Sequence, residues 1–167
     1  MKVGVITKVK GLKLSPLLRY QLYVSFGLLF VSGCAWLWLH YYGGQENEFG
    51  RSASPLEPVM LVLHGCLVPW FLLVFGSLFP THIVRAWKCG LNRATGIGIL
   101  SICFALIVTG LLLYYSGSES GRRIASSAHA IIGVGSVVIL LGHIAQGRKV
   151  MAPQQSGQQG GTSCVEE

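Results

Sequence analysis

Aspartate is missing from this chain altogether, and its six glutamates (Glu46, Glu48, Glu57, Glu119, Glu166 and Glu167) all lie outside the long apolar runs. Transport of divalent metal usually needs intramembrane carboxylates, and hydrolysis at that depth would have to draw its general acid and base from histidine alone. Both classes are disfavoured. Charge of either sign is scarce: Asp, Glu, Lys and Arg make up 11% of the residues, against about 25% in a soluble globular domain. The five cysteines, Cys34, Cys66, Cys89, Cys103 and Cys164, form no CxxC pair and no CxxCH. That disfavours covalent haem attachment and an iron–sulfur cluster held by this chain alone. Cys34, Cys66 and Cys103 read as small apolar packing residues. The net charge of +7 carries no nucleic-acid signal, because the basic residues flank apolar runs instead of forming a stripe.

What the sequence does have is apolar length. Four runs reach the roughly 20 residues that a membrane-spanning helix needs: Leu17–Tyr42, Val59–Val84, Ala94–Tyr115 and Ile124–Ala145. The expected fold is all-α, an integral membrane four-helix up-down-up-down bundle with short links. Residues 1–16 read as a basic cytoplasmic lead, 17–146 as the bundle, and 147–167 as a disordered Gln/Gly-rich tail. Lys2, Lys8, Lys10, Lys13, Arg19, Arg85, Lys88, Arg93, Arg148 and Lys149 fall on one side of such a bundle, and only Arg51, Arg122 and Arg123 on the other. Ten against three puts both termini in the cytoplasm, as expected in a bacterial inner membrane. The first run is too long for the apolar core of a signal peptide and reads as a retained helix.

Four of the five histidines fall in pairs, two in the second run and two in the fourth, while His40 ends the first. Ionisable residues at membrane depth are functional candidates by default. An α-helix turns about 100° and rises about 1.5 Å per residue, so His129 and His143 lie within roughly 40° of one face and about 21 Å apart. His64 and His82 share a face about 27 Å apart. His64 lies six residues after Pro58 and His129 six after Arg123, so the outer pair is level. The inner pair, His82 with His143, is mismatched by about 6 Å of helix rise. Pro69 and Pro80 are placed to absorb part of that by bending the second helix.

Two levels of paired imidazoles between facing helices are the arrangement that holds two haems. Neutral imidazole is a good haem ligand, and two of them fill both axial positions, leaving the iron only electrons to exchange. His64 and His129 are therefore the expected ligands of an outer haem b, and His82 and His143 those of an inner one. Gly65, Gly133, Gly135, Gly142, Gly96 and Gly98 allow close approach of a flat ring or, equally, ordinary membrane helix packing. Arg85, Arg93, Arg122, Arg123 and Arg148 stand where haem propionates would emerge, and also where topology alone would put them. Trp36, Trp38, Tyr41 and Tyr42 read as an interfacial aromatic belt. His40, beside them, belongs to that belt, replaces an outer ligand, or lines a quinone pocket.

On His64, on the His129–His143 spacing and loosely on "LNRATGIGIL…VTGLLLYY", residues 17–146 resemble the four-helix di-haem cytochrome b subunits of formate dehydrogenase and nickel–iron hydrogenase. The resemblance implies that the fourth-helix pair ligates both haems and that His64 completes the outer one. That family takes its remaining inner ligand from the start of the first helix; here that stretch reads Arg19-Tyr20-Gln21, and His82 is the substitute. The expected function is electron transfer between two bis-histidine haems, as the quinone-linked membrane subunit of a respiratory complex rather than a catalyst on its own. Glu46, Glu48 and Glu57 would dock a periplasmic redox subunit. The alternatives are a single-haem subunit and a haem-free structural anchor or metal-binding subunit. Lipid is an expected partner and nucleic acid is not.

Overall fold

The computed structural model describes residues 14–48, 50–90 and 92–151. The basic lead up to Lys13 and the tail beyond Met151 lie outside the described residues. The fold is a helical bundle with four helical segments long and apolar enough to cross a membrane: Pro16–Tyr42, Glu57–Lys88, Arg93–Tyr115 and Glu119–Lys149.

The first helix, α1 (Pro16–Tyr42), starts where sequence chemistry says it should. Ser15 caps it, its hydroxyl oxygen accepting the Leu18 N–H at 3.2 Å. Pro16 occupies the first turn, where the N–H it lacks would have no partner anyway. Beyond Tyr42 the chain forms a two-stranded antiparallel hairpin, β1 (Gln45–Asn47) with β2 (Gly50–Ser52). Gly50 sits in it at φ +102°, a conformation L side chains rarely adopt.

The second span is not the single helix its apolar run predicts. Helix α2 (Glu57–Gly76) passes through Pro69 without a break. A wider π-helical turn, Phe79–Ile83, follows, and then the short α3 (Val84–Lys88). Pro80 supplies the cause: it has no N–H to offer the Gly76 carbonyl four residues back, and the turn closes instead from the Val84 N–H to Phe79 O. His82 rides on this widened turn. The link to the next helix is shorter than expected, Cys89 to Asn92, with Gly90 at φ +69° and Asn92 at φ +51°.

The last two helices are α4 (Arg93–Tyr115) and α5 (Glu119–Met151). The latter runs past both ends of its apolar stretch, so the residues from Gly147 to Met151 are helical and not part of a disordered tail.

Packing is inverted relative to a soluble domain. Among the described residues the only buried apolar side chains are Leu78 and Ala125, while Ser25, Ser32, Ser54 and Ser136 are buried. Small residues let membrane helices approach closely. The serine hydroxyls within the helices are satisfied locally: Ser25 donates to Leu22 O, Ser32 to Leu29 O and Ser136 to Gly133 O. Large apolar residues such as Leu73, Phe104, Ile131 and Val138 point outward. Helix α1 packs mainly on α2 and α4 mainly on α5, with a narrower line of contact joining α1 to α5.

Candidate functional site

Between the two helix pairs lies a cavity of about 2110 Å³, lined by side chains from all four spans. Protein interiors ordinarily close-pack and leave few voids larger than a water molecule. Pockets for drug-sized ligands run from roughly 300 to 1,000 Å³, so this space suits something larger. Its walls are mostly apolar, and all four predicted histidines, His64, His82, His129 and His143, face it.

The geometry is sharpest around His64 and His129. Their ring centres are 6.3 Å apart with the planes at 85°. Two imidazoles holding one metal from opposite sides, each through a bond of about 2 Å, put their ring centres roughly 6 Å apart. The separation therefore fits a shared metal, and the rings do not stack on each other.

Three of the rings have their Nδ1 in contact with a hydroxyl of a neighbouring helix. His64 Nδ1 lies 2.9 Å from Ser32 Oγ, and that hydroxyl donates its only hydrogen to Leu29 O at 3.0 Å. With its hydrogen on Leu29 O, the Ser32 oxygen accepts from Nδ1–H in the tautomer that leaves the lone pair on His64 Nε2. His129 repeats the logic on another helix: Nδ1 is 2.9 Å from Thr109 Oγ1, whose hydrogen goes to Ala105 O at 2.7 Å. His143 does so a third time, with Nδ1 2.9 Å from Thr95 Oγ1, which donates to Asn92 O at 3.2 Å. A metal-ligating histidine characteristically has its second nitrogen held in this way, which sets ring orientation and raises basicity.

His82 differs. Its Nδ1 is buried and has no hydrogen-bond partner among the described residues. It lines the same cavity as His143. Among the described residues no ring contact joins the two. Nor do any three His, Cys, Asp or Glu side chains among the described residues converge as a metal-ion group; the imidazole pair in ring contact is His64 with His129.

The close approaches of backbone to ring come from glycines that sequence reasoning does not single out. A Cβ at Gly33 would lie 3.2 Å from His64 Cε1, tighter than ordinary contact, and one at Gly110 would lie 3.6 Å from His129 Cε1. The expected positions divide. A Cβ at Gly65 would face the Tyr114 hydroxyl, one at Gly133 would face Leu106 and one at Gly98 would face Ile139, while at Gly96, Gly135 and Gly142 it would meet nothing within 4 Å.

Of the accessory residues, Arg93, Arg122, Arg123 and Arg148 line the cavity, as does Arg19, while Arg85 is exposed and not part of the lining. Arg93 is committed to capping the short α3: its Nη2 and Nε donate to Trp87 O at 2.8 and 3.2 Å, with its guanidinium over the Trp87 ring. Arg123 pairs with Glu119 at 3.2 Å. His40 is stacked on Trp36, ring centres 4.9 Å apart, and its Nδ1 meets Glu57 Oε1 at 2.6 Å. Glu57 thus turns to His40, leaving Glu46 and Glu48 as the exposed acids of the loop.

The chain matches no family model, and no curated protein or solved structure is similar enough to register as a match. What the site can do follows from its own geometry.

Proposed function

We propose that this chain is a membrane b-type cytochrome that carries electrons across the bilayer between two bis-histidine haems, as the quinone-linked membrane subunit of a respiratory or electron-transfer complex. The observation that carries the reading is the repeated Nδ1 contact: three imidazoles facing one cavity, each with its Nδ1 2.9 Å from a hydroxyl that also lies within hydrogen-bond distance of a backbone carbonyl on its own helix. In this reading the spans run up-down-up-down with both termini in the cytoplasm of a bacterium.

His64 and His129 would hold the outer haem, and His82 and His143 the inner one. Bound haem supplies reversible one-electron exchange at its iron. The chain's own residues do the rest. Ser32, Thr109 and Thr95 keep Nε2 unprotonated and aimed inward. The apolar walls, among them Leu29, Phe30, Ile99 and Leu106, exclude water and so lower the local dielectric. Arg122, which lines the cavity and whose guanidinium has no hydrogen-bond partner among the described residues, is the natural counter-charge for a carboxylate at the outer end, and Arg19 and Arg148 for one at the inner end.

The test is a reduced-minus-oxidised visible spectrum of the purified protein with pyridine-haemochrome stoichiometry. About two non-covalent haems per chain are expected. One haem, lost in His64→Ala, would support the single-haem alternative, which the unheld His82 favours. Folded protein that takes up no haem under ample supply would leave the structural-anchor reading.

A further inference from the structure

We propose that His82 is a releasable ligand, and that the site it shares with His143 admits a small neutral diatomic molecule of the carbon monoxide type. The inference rests on the haem reading above and concerns what this chain's residues do toward that group.

Four observations separate His82 from the other three imidazoles. Its Nδ1 is shielded from solvent yet has no hydrogen-bond partner among the described residues, where Ser32, Thr109 and Thr95 hold the rest. Loss of such a supporting partner typically weakens metal binding by about 10–100-fold. Second, His82 sits on the widened turn Phe79–Ile83, where Pro80 has removed an ordinary helical hydrogen bond. Wide turns of this kind recur at functional sites, and their looser bonding lets the segment shift. Third, no ring contact among the described residues joins His82 to His143, whereas His64 and His129 stand at 6.3 Å. Fourth, the cavity wall beside His82 includes Leu78, Ile83 and Ala86. Such flanks accept a neutral molecule without desolvation cost, the cations of that end, Arg19 and Arg148, being the counter-charges for a carboxylate.

The exchange balances without redox change. With haem bound between His82 and His143, the His82 imidazole would leave as a neutral base and the incoming molecule would take its place, with no change of oxidation state. His143, held by Thr95, would be the ligand that stays.

The experiment uses the full chain in detergent, haem-loaded and reduced with dithionite, mixed with carbon monoxide in a stopped-flow spectrometer. Haem is counted first by pyridine haemochrome. The expected result is one carbon monoxide per two haems, with a rate that saturates as the gas concentration rises because imidazole release limits it. In His82→Ala, counted per inner haem retained, the rate becomes linear in gas concentration and no longer saturates. The wild-type stoichiometry and saturation decide the matter alone if the variant does not fold. Two haems with no gas uptake would overturn the proposal. So would uptake whose kinetics His82→Ala leaves unchanged, or a single haem that the same variant retains. Failure of the cytochrome reading itself is distinguishable, since it shows as absent haem before any gas is added.

Discussion

Thr109 Oγ1 stands 2.9 Å from His129 Nδ1 while donating its own hydrogen to Ala105 O, so one short side chain joins a backbone carbonyl on α4 to an imidazole on α5. Thr109→Val keeps the shape and removes the acceptor. Haem at the outer site should then be held about 10–100-fold less tightly, read as faster transfer to an apo-globin acceptor. Ser32→Ala should do the same through His64. Thr95→Val should weaken only the inner site. A uniform effect of all three on both sites would argue against separate pairs.

His64→Ala and His129→Ala should each reduce the haem content by one per chain and leave the other site intact. The helix content by circular dichroism should not change, because neither ring is part of a packed apolar core. Pyridine haemochrome on matched amounts of folded protein makes the comparison.

Two glycine variants should behave differently. At Gly33 an added methyl would lie 3.2 Å from His64 Cε1, so Gly33→Ala should displace that ring, lower haem retention and perturb the visible spectrum. At Gly110 the corresponding distance to His129 is 3.6 Å, an ordinary contact, and Gly110→Ala should be nearly silent. Equal effects would mean that close approach to the imidazoles does not set their position.

His40→Ala should leave the haem content unchanged. Its Nδ1 is engaged by Glu57 and its ring by Trp36, away from the His64–His129 contact. The His40–Glu57 pair is part-exposed, 47% and 17% for the two side chains. Glu57→Gln should therefore cost no more than about 1 kcal/mol of stability, measured as a small drop in Tm. Loss of one haem in His40→Ala would instead make His40 a ligand.

The level match of His64 and His129 is legible from arithmetic alone, because two helices entering from the same side carry residues at equal depth when each lies six positions from its boundary. The spans are legible for the same reason: length and apolarity are one-dimensional properties, and four segments of sufficient length are present. Ser32, Thr109 and Thr95 are not. A serine or threonine in an apolar run defaults to bonding its own helix three or four residues back. These three do that too, and only the neighbouring helix reveals their second contact. Gly33 and Gly110 escape notice for a related reason: each lies on the helix next to its histidine, α1 beside α2 and α4 beside α5, and nothing near the histidine in sequence marks it. A bend at Pro80 follows from its chemistry; that the bend takes the form of one widened turn under His82 depends on which hydrogen bond replaces the lost one. The strands in the loop after Tyr42 leave no apolar alternation to read, since all their described side chains are exposed.

The pairing of α1 with α2 and of α4 with α5, joined chiefly along α1 and α5, makes the molecule a clasp with two leaves. On the haem reading each site takes one imidazole from each leaf, His64 or His82 from one and His129 or His143 from the other. On that reading a flat ligand would enter from the side without unravelling any helix, and its binding would fasten the leaves together. Cofactor loading and final assembly become one event, because a ligand that binds only the closed form stabilises that form. Cells short of haem should accordingly accumulate the chain with its leaves unfastened and clear it faster by proteolysis.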